Sequence, residues 1–242
     1  MTVSVLSAPA IAADKPNILF IMGDDIGIMN VGAYHQGLMV GETPNIDRLG
    51  KEGARFMTYY AEQSCTAGRT AFSTGMHPLR AGMVMPQLPG ATSSLLPGTP
   101  AIAKFLLDLG YNTGEFGKNH LGDHTDALPT AHGFQEFWGY LYHLDAMQGV
   151  SFPDINKSPL EQTVAPPCKN TPIPGLTEVA GAVDPETTIC LTPPRPVMHC
   201  TSSDGTSANQ TCKDEGPLTL ERSKTIDEIG RASCRERVCQ YV

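Results

Sequence analysis

Lys15-Pro16-Asn17-Ile18-Leu19-Phe20-Ile21-Met22-Gly23-Asp24-Asp25 holds an unbroken apolar run that starts after a proline and stops at two adjacent carboxylates. Such a run reads as a buried strand of a parallel sheet, because a strand covered on both faces shows no polar alternation. Working outward, Thr43 to Gly53 reads as a short amphipathic helix with Pro44 in its first turn, where a missing N–H costs nothing. Phe56-Met57-Thr58-Tyr59-Tyr60-Ala61 reads as the next strand, and the residues from Cys65 through Phe72 as a helix. A further helix is expected over Thr99 to Leu109, with Ile102, Phe105, Leu106 and Leu109 on one face and Gly110 closing it. Tyr111 to Phe116 then forms a strand that runs into Gly117-Lys118-Asn119-His120. This alternation predicts an α/β architecture: a doubly wound, mostly parallel sheet with helices on both faces.

In such sheets ligands gather beyond the carboxyl ends of the strands. Asp24, Asp25, Cys65, Lys118 and His120 all fall at or near predicted strand ends, so one shared site is expected. The adjacent carboxylates Asp24 and Asp25 suit a hard divalent cation, which prefers oxygen ligands. Arg69 follows Cys65 by one helical turn and shares its face. Lys118 and His120 alternate on an extended segment and can point into one pocket. Isolated histidines are usually structural, and His35, His77, His132 and His143 take that reading. The cluster of Asp123, His124 and Asp126 is assigned no role.

Four segments together resemble a known family. Lys15 to Asp25 looks like the opening strand of the sulfatases, in the alkaline phosphatase-like superfamily, and Thr43-Pro44-Asn45-Ile46-Asp47-Arg48-Leu49 resembles their next landmark. Ser64-Cys65-Thr66-Ala67-Gly68-Arg69-Thr70-Ala71-Phe72-Ser73-Thr74-Gly75 resembles the principal signature, and Gly110 to Gly122 the second. The resemblance spans roughly residues 15 to 140 and implies the chemistry of an exported sulfuric ester hydrolase of arylsulfatase type. It implies that a maturation enzyme oxidises Cys65 to formylglycine, whose hydrate attacks the sulfur of a small-molecule sulfate ester; the alcohol leaves, and the second hydroxyl then expels sulfate. It implies Ca2+, less often Mg2+, on Asp24, Asp25 and the oxygen at position 65, with two further ligands far downstream. By the same resemblance Arg69 holds the formylglycine, Lys118 binds sulfate oxygens, and His120 assists the proton removal. Ala67 departs from the more familiar proline, which leaves the maturing enzyme open, and Asn119 stands where tryptophan is commoner. A formylglycine-dependent phosphonate or phosphodiester hydrolase, and an inactive sulfatase fragment, are the alternatives.

A chain of 242 residues, 40% hydrophobic and 17% charged, has the composition of a globular protein. Its net charge of -8 and lack of a basic block argue against a nucleic-acid partner. No apolar run approaches the roughly 20 residues of a membrane span. Residues 1–13, ending near Ala10-Ile11-Ala12, read as a signal-peptide remnant or a disordered tail, and a periplasmic or secreted location is expected. Residues 14–148 read as the N-terminal part of the catalytic domain, and 149–227 as a Pro-rich surface insertion of the same domain. Residues 228–242 read as sequencing-adapter read-through, because Glu228 to Cys239 can be encoded by a string that closely resembles a common adapter. Of the seven cysteines, Cys168, Cys190, Cys200 and Cys212 fall in the insertion, where two disulfides are expected with three pairings open. A zinc site is the rival, disfavoured by the absence of any Cys-x-x-Cys pair. With Cys234 and Cys239 in the tail, Cys65 is left over, free for other chemistry.

Overall fold

The apolar run after Pro16 forms β1, Ile18–Ile21. A computed structural model of the chain describes residues 15–39, 43–87, 91, 93–147, 182–183, 190–191, 196–217 and 237–241. Short α1 (Gly32–His35) and α2 (Pro44–Glu52) follow, with Pro44 in the first turn of α2 as expected. Asp47 ties the two helices together, its Oδ1 accepting from the Ala33 N–H at 2.6 Å and from Thr43 Oγ1 at 2.8 Å. α3 (Cys65–Thr74) starts after an extended Ser64 and stops at Gly75, which takes the left-handed conformation at φ 67° and donates its N–H to Ala71. α4 (Pro78–Ala81) and α5 (Ile102–Asp108) lead into β2 (Asn112–Lys118), β3 (Glu136–Tyr140) and α6 (Leu144–Met147).

A two-strand ladder of β4 (Ala182–Val183) and β5 (Cys190–Leu191) stands apart from the main sheet. That main sheet has the order β1-β8-β2-β3-β6-β7, where β6 is Pro196–Ser202, β7 Gln210–Pro217 and β8 Arg237–Tyr241. β1, β8, β2 and β3 are mutually parallel, while β6 and β7 run antiparallel beside β3. The architecture is therefore α/β with a mixed sheet. Residues 237–241, within the tail expected to be read-through, occupy the slot between β1 and β2.

Four expectations need correction. Phe56 to Ala61 forms no strand; Phe56, Tyr59 and Tyr60 are exposed, and no neighbour among the described residues supplies the ladder a strand requires. β1 lies in the parallel sheet, but Leu19 and Ile21 are 59% and 60% exposed, because no element among the described residues covers them. α5 forms and Gly110 closes it, yet the face chosen by periodicity is exposed and Ala103 is the residue it buries. Residues 196–217, taken as surface excursion, instead build core: Val197, Met198 and Cys200 are buried, and the Cys200–Cys212 disulfide joins directly paired residues of β6 and β7. Cys200 and Cys212 pack with Phe137, Leu141 and Tyr142 in the larger apolar cluster. Cys168 and its partner choice lie outside the described residues.

β2 and β3 approach each other closely at their carboxyl ends. Gly117 pairs with Gly139, and a Cβ on Gly139 would meet the Gly117 carbonyl oxygen at 1.8 Å. Gly117 itself sits at φ +106°, where a side chain would be strained. This glycine pair brings the two strands together one residue before Lys118.

Candidate active site

Lys118, the last residue of β2, is 3% exposed, and its Nζ donates to Asp24 Oδ2 at 2.6 Å. Asp24 follows β1 by three residues, so the contact joins two strand ends that are not adjacent in the sheet. Arg69, 1% exposed on α3, reaches the same place: Nη1 donates to the Lys118 carbonyl and Nη2 lies 3.5 Å from Asp24 Oδ1. Burial pushes the Asp24 carboxyl up, but the Lys118 hydrogen bond and the two cations outweigh it and hold the group below the usual carboxylate range. Arg69 is fully buried; its Nε has no hydrogen bond, and its Nη2 has the 3.5 Å ion pair with Asp24 in place of a closer one. Unsatisfied buried donors are costly, and these two are oriented by a helix and a strand end that are both fixed.

His120 is held on every side. Its N–H donates to the Leu141 carbonyl at 3.1 Å, its own carbonyl accepts from Thr66 Oγ1 at 3.1 Å, and its ring Nε2 lies 2.9 Å from the Gln87 carbonyl. A carbonyl only accepts, so Nε2 carries the hydrogen and Nδ1 presents its lone pair. Nδ1 is buried and has no hydrogen-bond partner. Burial drives the imidazole pKa down to about 4, with the charges of Lys118, His143 and Arg69 adding to it against the Gln87 hydrogen bond. The ring is therefore neutral at pH 7, in one tautomer, with an unengaged acceptor. Its backbone adopts φ 60°, which costs a non-glycine residue about 1 kcal/mol.

Cys65 is the first residue of α3 and is free and partly buried. Its neighbour Thr66 is completely buried and links α3 to the His120 turn. The structure thus brings Asp24, Arg69, Lys118 and His120 together around the start of α3. Asp25 is exposed, at φ 55°. Among the described residues no group of three or more His, Cys, Asp or Glu is arranged to hold a metal ion. Asp24 and Asp25 are oxygen donors of the type a hard cation prefers, and both Asp24 oxygens are engaged by Lys118 and Arg69.

Residue-by-residue reading missed three contributors. Gln87 acts through its backbone carbonyl, which no side-chain pattern reveals. Glu115 is 1% exposed on β2, a strand with a single apolar side chain, Phe116, so nothing in its sequence pattern marks it as buried. His143, read as structural, stands 5.7 Å from His120 between ring centroids, because β3 parallels β2 and ends beside it.

Comparisons with known proteins give the family. The family model described as Sulfatase matches residues 16–192. Human steryl-sulfatase (Homo sapiens) is 41% identical over 141 residues, covering 53% of this chain and 24% of that protein. Arylsulfatase A of Bos taurus is 40% identical over 144 residues, covering 58% and 28%. The chain thus spans about a quarter of the length of these curated relatives. The crystal structure of PsFucS1 sulfatase from Pseudoalteromonas sp. superposes with a TM-score of 0.63 at 25% identity, over 94% of this chain and 43% of that one. Ps i-CgsB, crystallised in complex with k-i-k-neocarrahexaose, gives a TM-score of 0.60 at 25% identity, over 94% and 44%. With the family model extending over most of its length, the chain belongs to the sulfatase family.

Proposed function

We propose that the protein carrying these residues hydrolyses small-molecule sulfate esters, in the manner of an arylsulfatase, with Cys65 converted to formylglycine by a maturation enzyme. The observation that carries the reading is the buried convergence of Arg69 and Lys118 at the start of α3, beside a neutral His120 with an open lone pair. Lys118 Nζ and Arg69 Nη2 offer positive charge to a tetrahedral sulfate, and the amino end of the ten-residue α3 adds the favourable end of its dipole. Donors carried on buried side chains stabilise developing negative charge better than the same groups in bulk solvent. His120 Nδ1 accepts the proton of a hydroxyl at position 65, while Nε2–H stays on the Gln87 carbonyl and keeps the ring from turning. Assistance of this type contributes about 10²–10⁴-fold. A divalent cation, Ca2+ rather than Mg2+, held in part by Asp24 and Asp25 with the oxygen at position 65, would supply charge neutralisation there.

The Cys200–Cys212 disulfide favours an oxidising, periplasmic or secreted setting. Among the described residues no helix is long and apolar enough to cross a membrane. The decisive measurement is the mass of the tryptic peptide containing residue 65, from cells that hold a maturation enzyme. Conversion makes it about 18 Da lighter, the difference between a thiol and an aldehyde. Turnover of an aryl sulfate by protein whose peptide is wholly thiol would end the proposal, and preference for an aryl phosphodiester would move it to the phosphodiester class.

A further inference from the structure

A buried glutamate in a parallel strand needs a reason, because a carboxylate loses its water there and few partners replace it. Glu115 is 1% exposed, and Asn119, four residues on, is 3% exposed. Asn119 Nδ2 donates to Glu115 Oε1 at 3.0 Å, and Asn119 Oδ1 accepts the Leu121 N–H at 3.2 Å. The amide orientation is forced, since the Leu121 N–H can only donate. The turn between Lys118 and Leu121 has its other backbone groups engaged by β3 and α3: the Asn119 N–H by Tyr140, the His120 N–H by Leu141, and the His120 carbonyl by Thr66. The Leu121 N–H is left to the Asn119 side chain, and that side chain is steadied by Glu115. Between them lies His120 in its left-handed conformation.

We propose that Glu115 and Asn119 form a buried positioning pair that locks the His120 turn, and with it the single ring tautomer that leaves Nδ1 open. Neither residue touches the reacting atoms; both act through His120. The catalytic meaning of the pair rests on the sulfate-ester reading above, but its geometry does not. The pair also explains why Asn119 is accommodated at a position where tryptophan is commoner: the amide is one half of a two-residue device and is paired with a carboxyl one helical-turn length earlier in sequence. Arg69, whose charge favours the ionised carboxyl, is the charged group that faces Glu115 from α3.

The test separates holding the turn from filling the core. Imidazole 15N spectra of the unconverted chain report the His120 tautomer without substrate, metal or formylglycine, and aryl sulfate kinetics report its use. Asn119→Ala should replace the single His120 tautomer by a mixture and lower kcat about 10- to 100-fold while KM moves far less, the expected cost of a misplaced group. Glu115→Gln keeps an acceptor for the Asn119 amide and should keep the single tautomer. Glu115→Leu/Asn119→Leu removes both polar side chains but leaves the Leu121 N–H unpaired, so melting should fall no further than in Asn119→Ala while the tautomer mixture and the kcat loss persist. A parent-like tautomer and kcat in the double variant, or in Asn119→Ala, would overturn the proposal. The spectral pattern appearing as expected in a protein that turns over no sulfate ester would uphold the pair and refute the hydrolase reading instead.

Discussion

Replacing Gly139 by alanine tests whether the close approach of β2 and β3 sets the site. The new Cβ would stand 1.8 Å from the Gly117 oxygen, 2.7 Å from its carbonyl carbon and 2.9 Å from its nitrogen. Side-chain carbons do not come within 3.0 Å of such atoms, so the strands must part by about 1.2 Å, the difference between those distances. All three neighbours are backbone, and none can swing aside as a side-chain tip would. Overpacking typically costs 1–3 kcal/mol, and a rigid backbone puts this change at the upper end, about 3 kcal/mol. For a chain of this size that lowers the melting temperature by about 6–12 °C. The displaced segment includes Gly117 and therefore moves Lys118 and the His120 turn, so a shift of about 1 Å should cost on the order of 10²-fold in aryl sulfate turnover. Gly98→Ala is the control: its φ of +74° brings strain, but nothing lies within 4 Å, so about 1 kcal/mol and intact turnover are expected. Gly139→Ala with a parental melting temperature and full turnover would refute the reasoning.

Two further outcomes follow from groups already described. Cys200→Ala/Cys212→Ala opens a loop with a sequence separation of 12 and should destabilise the protein by about 3 kcal/mol in urea unfolding, the loss vanishing when the parent is measured under reducing conditions. Burial raises the Glu115 carboxyl to about 7, against the Asn119 hydrogen bond and the Arg69 charge. The native state then keeps a proton that the unfolded chain releases above its ordinary pKa, so stability is present in full below about 4.5 and is lost as pH rises through about 7. Melting curves should show a few kcal/mol of that pH dependence in the parent and its absence in Glu115→Gln; equal slopes in the two proteins would remove Glu115 as the source.

What could be read from residues alone was set by how local the signal is. β1, α2 and β2 carry their own punctuation: Pro16, Pro44 and Gly110 ahead of the strand. Phe56 to Ala61 has the composition of a strand, but composition cannot say whether a partner edge is within reach. The face of α5 failed for a similar reason, since periodicity proposes an apolar side and packing chose Ala103. The β6–β7 hairpin had only a weak local signal: Asp204-Gly205 lies within a longer connection between Ser202 and Gln210, and the burial of β6 does not alternate strictly, although Cys200 and Cys212 stand opposite each other across the pair. In the site, Asp24, Arg69, Lys118 and His120 were found by type and position, and the structure brings them together. The support beneath them, Gln87, Glu115 and His143, escaped because it works through a backbone carbonyl, a buried pairing and a ring that the sheet brings close.

The burial of α3 has a consequence for the order of events in the cell. Thr66 and Ala67 are 0% exposed and Arg69 is 1% exposed, so the side chains that would mark Cys65 for modification face inward once the chain has folded. An enzyme that reads those side chains can do so only on a nascent or reopened chain, and pulling a core helix out of a sheet approaches the cost of global unfolding. On the proposed chemistry, modification and folding compete for the same few residues. A molecule that folds first would keep its thiol, and the converted fraction would be decided kinetically, during synthesis, and not by any later equilibrium.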